Sequence, residues 1–130
     1  MPVEYKYHKE DNTIRIQCRD ELTIAEIREY FQNIEKDETL PKGTVEIVDL
    51  TQMSFFDLNY TDAAKMPEAY MPANLKKEIV GTILFGASHS NLAFAQLIQA
   101  YFKKSMPNHF FKTVDTVQEV EETLLHIRSL

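Results

Sequence analysis

Apolar and polar residues alternate in two stretches near the start of the chain, Tyr5 to His8 and Thr13 to Cys18. The polar tetrad Lys9-Glu10-Asp11-Asn12 separates them. Period-two alternation on both sides of a polar turn predicts an antiparallel hairpin. The period then changes. Ile24, Ile27, Phe31 and Ile34 recur at helical spacing and form one apolar stripe. Thr23 precedes the stripe and Glu26 follows three residues later, a capping-box pattern. The stripe ends before Lys36-Asp37-Glu38, and Pro41-Lys42-Gly43 is a breaker.

The apolar, β-branched run Val45 to Leu50 predicts a buried strand. Residues from Thr51 to Asp57 read as the loop that leaves it and enters a helix. Thr61 to Tyr70 predicts a short helix, kinked or restarted at Pro67, with Pro72 ending the segment. Glu78 to Phe85 reads as a second buried strand, followed by the loop Gly86-Ala87-Ser88-His89-Ser90-Asn91. Leu92 to Lys104 predicts a helix that is apolar over most of its circumference, and Pro107-Asn108 breaks it. Phe110 to Val114 is a short strand. A last helix from about Thr116 carries Val117, Val120, Leu124 and Ile127 on one face. The order β-β-α-β-α-β-α-β-α predicts an α/β fold, with a mixed, mostly parallel sheet behind an N-terminal hairpin and about four helices packed on it. No repeat, low-complexity tract or long linker interrupts the sequence, so residues 1–130 are expected to form a single domain.

Charge narrows the partners. The chain has 20 acidic against 14 basic side chains and a net charge of −6. A nucleic acid needs a basic surface, so none is expected as partner. The single cysteine, Cys18, excludes an intrachain disulfide and suits a reducing compartment. Its place in an alternating run marks it as a small buried hydrophobe rather than a nucleophile. The N-terminus has no apolar segment of the signal-peptide kind, and the longest apolar run, near Ile79 to Ala87, is far too short to span a bilayer. A cytoplasmic location is the expectation.

The element order, together with the segment from Asp49 to Tyr60, resembles the STAS domain. That family includes anti-sigma-factor antagonists and the cytoplasmic domains of sulfate transporters. The hairpin start and long first helix are more similar to its SpoIIAA-like branch. In the antagonists the motif runs roughly Asp-Leu-Ser-x-Val-x-Phe-Met-Asp-Ser-Ser-Gly. Here Asp49-Leu50-Thr51-Gln52-Met53-Ser54-Phe55-Phe56-Asp57-Leu58-Asn59-Tyr60 lies on it. The resemblance implies a non-enzymatic regulatory or protein-interaction domain. Its partner-binding loop would comprise Asp49, Thr51, Ser54, Asp57, Leu58, Asn59, Tyr60 and Thr61, with Met66, Tyr70 and Met71 as adaptable apolar contacts on the following helix. The family's phosphoacceptor serine falls on Leu58, which has no hydroxyl, and Asn59 and Tyr60 replace a serine and a glycine. The phosphoserine switch is therefore expected to be absent from that position. Sequences of this branch also resemble lipid-transfer domains in topology. Five methionines and eight phenylalanines suit a pocket, so a small-molecule or lipid-binding domain is the alternative.

Other chemistry is weaker. Asp49 and Asp57 suit an acid/base pair or a metal site, or else serve as caps of the strand end and the next helix. The small, polar loop Ser88, His89, Ser90 and Asn91 enters a helix N-terminus and suits an anion, with plain capping by Ser88 or Ser90 as the alternative. It lacks the spaced glycines and lysine of a Walker loop. Neighbouring serines and a histidine do not make a triad, and no Gly-x-Ser-x-Gly elbow is present. No catalytic residue, metal or cofactor is expected. The broad apolar helix suggests a homodimer, with Phe102 as an outward anchor and Ala93 and Ala100 permitting close approach.

Overall fold

The computed structural model describes residues 3–130, which form one five-stranded sheet in the spatial order β1-β2-β3-β4-β5. The strands are β1 (Val3–His8), β2 (Thr13–Thr23), β3 (Val45–Asp57), β4 (Gly81–Phe85) and β5 (Phe110–Val114). β1 runs antiparallel to β2 as a hairpin, and every later pairing is parallel. The helices are α1 (Ile24–Lys36), α2 (Tyr60–Lys77), α3 (His89–Ser105) and α4 (Val117–Arg128). The expected α/β architecture and element order are thus observed.

Strand alternation divides the core. On β3, Val48 and Leu50 pack with the apolar residues of α1, α2 and α3. Val45 and Ile47 point the other way, to Ile83, Val114, Val120 and Ile127, under α4. Three helices therefore cover one face of the sheet and a single helix covers part of the other. The capping box foreseen at Thr23 is formed: Glu26 N–H donates to Thr23 Oγ1 at 3.2 Å, and Thr23 N–H donates to Glu26 Oε1 at 2.9 Å. Thr116 and Glu119 make the same arrangement at the start of α4.

Four expectations need correction. First, the segment after Leu50 is strand, not loop. β2 runs on through a register shift between Gln17 and Arg19, and Arg19–Thr23 pair with Gln52–Asp57 with one further shift between Asp20 and Glu21. Backbone pairing is available there, so the chain stays extended. Second, α2 continues through Pro67 and Pro72 to Lys77. Burial of Ala63, Met66, Tyr70 and Ala73 outweighs the hydrogen bonds the two prolines remove. Third, Glu78 to Val80 is not strand. Glu78 adopts left-handed geometry (φ 47°, ψ 52°) and its N–H donates to Asn74 O, ending the helix, so β4 starts only at Gly81. Fourth, α3 is turned differently about its axis. Asn91, Ala95, Ile98 and Phe102 face inward, so Phe102 is core and not an outward anchor.

Candidate functional site

Parallel strands joined by helical crossovers leave their carboxyl ends on one edge of the sheet, where ligands and partners of such folds are met. The chain places Asp57, the two-residue connection Leu58-Asn59, and the start of α2 there. Asn59, not Asp57, caps α2: Asp62 N–H donates to Asn59 Oδ1 at 2.8 Å, and Asp62 Oδ2 accepts from Asn59 N–H at 3.2 Å. Asn59 is thus explained by helix initiation. Leu58 is half-buried and packs on the core below.

Beside this connection lies an aromatic cluster. Tyr60 stacks on Phe94 with ring centroids 6.0 Å apart, and Phe94 meets Phe56 at 5.1 Å. Tyr60 is 71% exposed and Phe55 44% exposed. Leaving such rings in water forgoes about 1.5–3 kcal/mol for a fully buried apolar side chain. Glu21 lies opposite Phe55 in the strand register, and Thr23 opposite Asp57.

The two aspartates do not form a pair. They sit eight positions apart on one strand, which separates them by roughly 26 Å at about 3.3 Å per residue. Asp49 is occupied locally, accepting from Thr51 N–H at 2.8 Å and from Thr51 Oγ1 at 2.6 Å. Among the described residues no group of three or more His, Cys, Asp or Glu side chains is placed to hold a metal ion. Thr51 also abuts Gly86 (φ 77°), where an added Cβ would lie 2.5 Å from Thr51 Cγ2. Gly86→Ala is therefore expected to cost about 1–3 kcal/mol from clash and backbone strain together. Thr51→Ser in the same chain should recover the steric share only, which denaturant titration of the two variants will separate.

The residues Ser88, His89, Ser90 and Asn91 part company. Asn91 is buried, and its Nδ2 donates to Ser54 O and to Ser88 Oγ, both at 3.0 Å. It ties the start of α3 to the free side of β3. Ser88, His89 and Ser90 are exposed, and Ser88, at the N-cap, makes no side-chain cap bond. Ser54 therefore meets Asn91 rather than Tyr60, and the residues read as one loop occupy three places along the strand ends.

One cluster has no signature in the local sequence pattern. Glu46, inside the apolar run of β3, is only 2% exposed. Tyr70 OH donates to its Oε1 at 2.5 Å, Thr82 Oγ1 lies 2.8 Å from the same oxygen, and Tyr30 OH donates to Oε2 at 2.5 Å. His109 Nε2 lies 2.9 Å from Thr82 Oγ1. Burial raises the Glu46 carboxyl above its ordinary range, against its hydrogen-bonding contacts with Tyr30, Tyr70 and Thr82. Burial likewise pulls His109 down to about 4. The available signal was a lone acid in a strand, with tyrosines on two helices packed over it. The cluster adjoins a cavity of about 80 Å³, walled mainly by apolar side chains such as Ile16, Leu22, Phe56, Met66 and Phe102. Cys18 is on the same wall, its thiol pushed up to about 12 mainly by burial, which leaves it unreactive.

No protein-family model and no curated protein matches the chain. Solved structures do. An uncharacterized DUF3478-family protein with a SpoIIAA-like fold from Shewanella loihica PV-4 superposes with a TM-score of 0.56 at 13% identity, over 94% of this chain and 91% of that one. The anti-sigma factor antagonist SpoIIAA, in its unphosphorylated form, superposes with a TM-score of 0.51 at 15% identity, over 98% and 99%. The chain thus has a STAS-type α/β fold. More particularly, it has the SpoIIAA-like form, sheet and four helices included. Among the described residues no helix is long and apolar enough to cross a membrane.

Proposed function

We propose that the chain is a non-enzymatic regulatory domain that binds a protein partner through the carboxyl edge of its sheet, in the cytoplasm. The observation that carries this reading is the exposed ring of Tyr60 at the start of α2, beside the β3–α2 connection, with Phe55 exposed near the end of β3. Aromatic side chains supply most of the energy of many interfaces. The SpoIIAA-like fold agrees with it, since one structural neighbour is an antagonist of an anti-sigma factor. Leu58 offers no hydroxyl at the position matching the family's phosphoacceptor, so regulation there does not run through phosphoserine. Thr61 is an exposed hydroxyl three residues on, while the exposed Ser54 and Thr51 lie progressively farther back along β3. A stoichiometric phosphate on Thr61 after incubation with a cognate kinase would show a displaced switch.

Removing two interface aromatics at about 2 kcal/mol or more each weakens binding by well over tenfold. Tyr60→Ala combined with Phe55→Ala is therefore expected to lose the partner in a quantitative pull-down while its melting temperature stays near that of the wild type. Unchanged capture by the double variant moves the interface elsewhere. The cavity favours the second reading, a small apolar ligand, and native mass spectrometry of the purified chain distinguishes the two by a mass increment that survives gentle ionisation.

A further inference from the structure

The hydrogen atoms around Glu46 do not add up if its carboxyl is ionised and His109 is neutral. His109 Nδ1 lies 3.2 Å from Ile79 O. A carbonyl oxygen only accepts, so Nδ1 carries the hydrogen. In a neutral imidazole Nε2 is then an acceptor, and the group facing it at 2.9 Å is Thr82 Oγ1. Thr82 spends its one hydrogen there. Its oxygen is also 2.8 Å from Glu46 Oε1, and that contact now needs a hydrogen from the carboxyl side.

We propose that Glu46 is a buried proton-binding site, a neutral carboxylic acid that donates from Oε1 to Thr82, which donates in turn to His109. Tyr70 and Tyr30 donate to the two oxygens of the same group. Moving the proton to His109 would fill the same contacts but would separate two charges in an apolar interior, where desolvation is costly. The titratable groups facing the site are Tyr30 from α1, Tyr70 from α2, Cys18 from β2 and His109 ahead of β5. Burial keeps all four uncharged near neutrality: both tyrosines are raised well above their usual value, Cys18 to about 12, and His109 is lowered to about 4. The remaining elements offer apolar side chains, and the buried Lys77 sends its Nζ to Asp37 O instead.

The proton links stability to pH. A carboxyl raised in the folded state contributes stability that is fully present below the unfolded glutamate value and is lost as pH rises through the folded one. His109 has the opposite sign: its contribution is present above 6.5 and is lost as pH falls toward about 4. An alkaline loss at mild pH therefore belongs to Glu46, since Cys18 and the tyrosines release their protons only much higher. The negative charge would appear where α1 and α2 meet the sheet, so those helices should loosen first.

Glu46→Gln keeps the shape, can donate to Thr82 and cannot ionise. The wild-type melting temperature should fall between mildly acidic and mildly alkaline pH, with hydrogen exchange rising first in α1 and α2, and the variant should lack that component. In the wild type, the Glu46 carboxyl carbon should keep its acid-form NMR shift at neutral pH, with the His109 hydrogen on Nδ1. A carboxyl that titrates in the ordinary glutamate range, or an imidazolium at His109, overturns the proposal. The spectra of the wild type decide the matter even if the variant does not fold.

Discussion

Glu46→Leu should destabilise the fold by about 3–5 kcal/mol. The side chains are similar in size, so little volume is lost. The cost lies in what remains behind. Tyr30 and Tyr70 keep their hydroxyls but lose the Glu46 oxygens that accept from them. A buried, unpaired polar group costs about 1–3 kcal/mol. Thr82 loses a partner as well, though it keeps its contact with His109. Against a total stability of about 5–15 kcal/mol, such a loss would leave many molecules unfolded on mild warming. Removing the stranded hydroxyls should reverse most of it. Glu46→Leu with Tyr30→Phe and Tyr70→Phe is expected to lie within about 1–2 kcal/mol of the wild type, because an apolar replacement of a whole polar cluster is often nearly neutral. Urea titration of the single and triple variants tests both halves. A single variant within about 1 kcal/mol of the wild type would mean that water enters and satisfies the tyrosines.

The same cluster explains where reading the sequence stops. Periodicity located every strand and helix, because burial on one face imposes its period on the residues that fill it. Ends were harder, for reasons outside the local pattern. β3 extends past Leu50 because β2 supplies a partner strand, and α2 crosses two prolines because its inner face is packed. The rotation of α3 is not legible in the sequence, because most positions from Leu92 to Phe102 are apolar or small and the stripe has no clear polar border. Asn91, the polar residue whose inward side chain fixes that rotation, lay in the segment read as loop. The edge carrying Tyr60 was placed by element order and one motif. Whether Asp49 and Asp57 meet could not be read, since that depends on whether the chain between them folds back or stays extended. The role of Glu46 is not legible in the sequence, because its partners Tyr30, Tyr70 and Thr82 come from three other elements.

Phe102→Ala should cost about 3–5 kcal/mol, the range for truncating a buried phenylalanine. Phe102 is 3% exposed. Its ring stacks on Phe111 at 4.6 Å and meets the edge of Tyr70 at 5.5 Å, so aromatic contacts are lost together with buried area. It also forms part of the wall of the 80 Å³ cavity. Truncation therefore enlarges an existing void rather than opening a new one, and the tightly packed neighbours can close it only in part. A large, dry, apolar void takes up small apolar molecules, and binding to the folded state raises its stability by mass action. Benzene should accordingly raise the melting temperature of Phe102→Ala by more than that of the wild type. The sedimentation of Phe102→Ala should match that of the wild type, because the ring it removes does not reach the surface. A small stability loss accompanied by a change in oligomeric state would instead put Phe102 at an interface between copies.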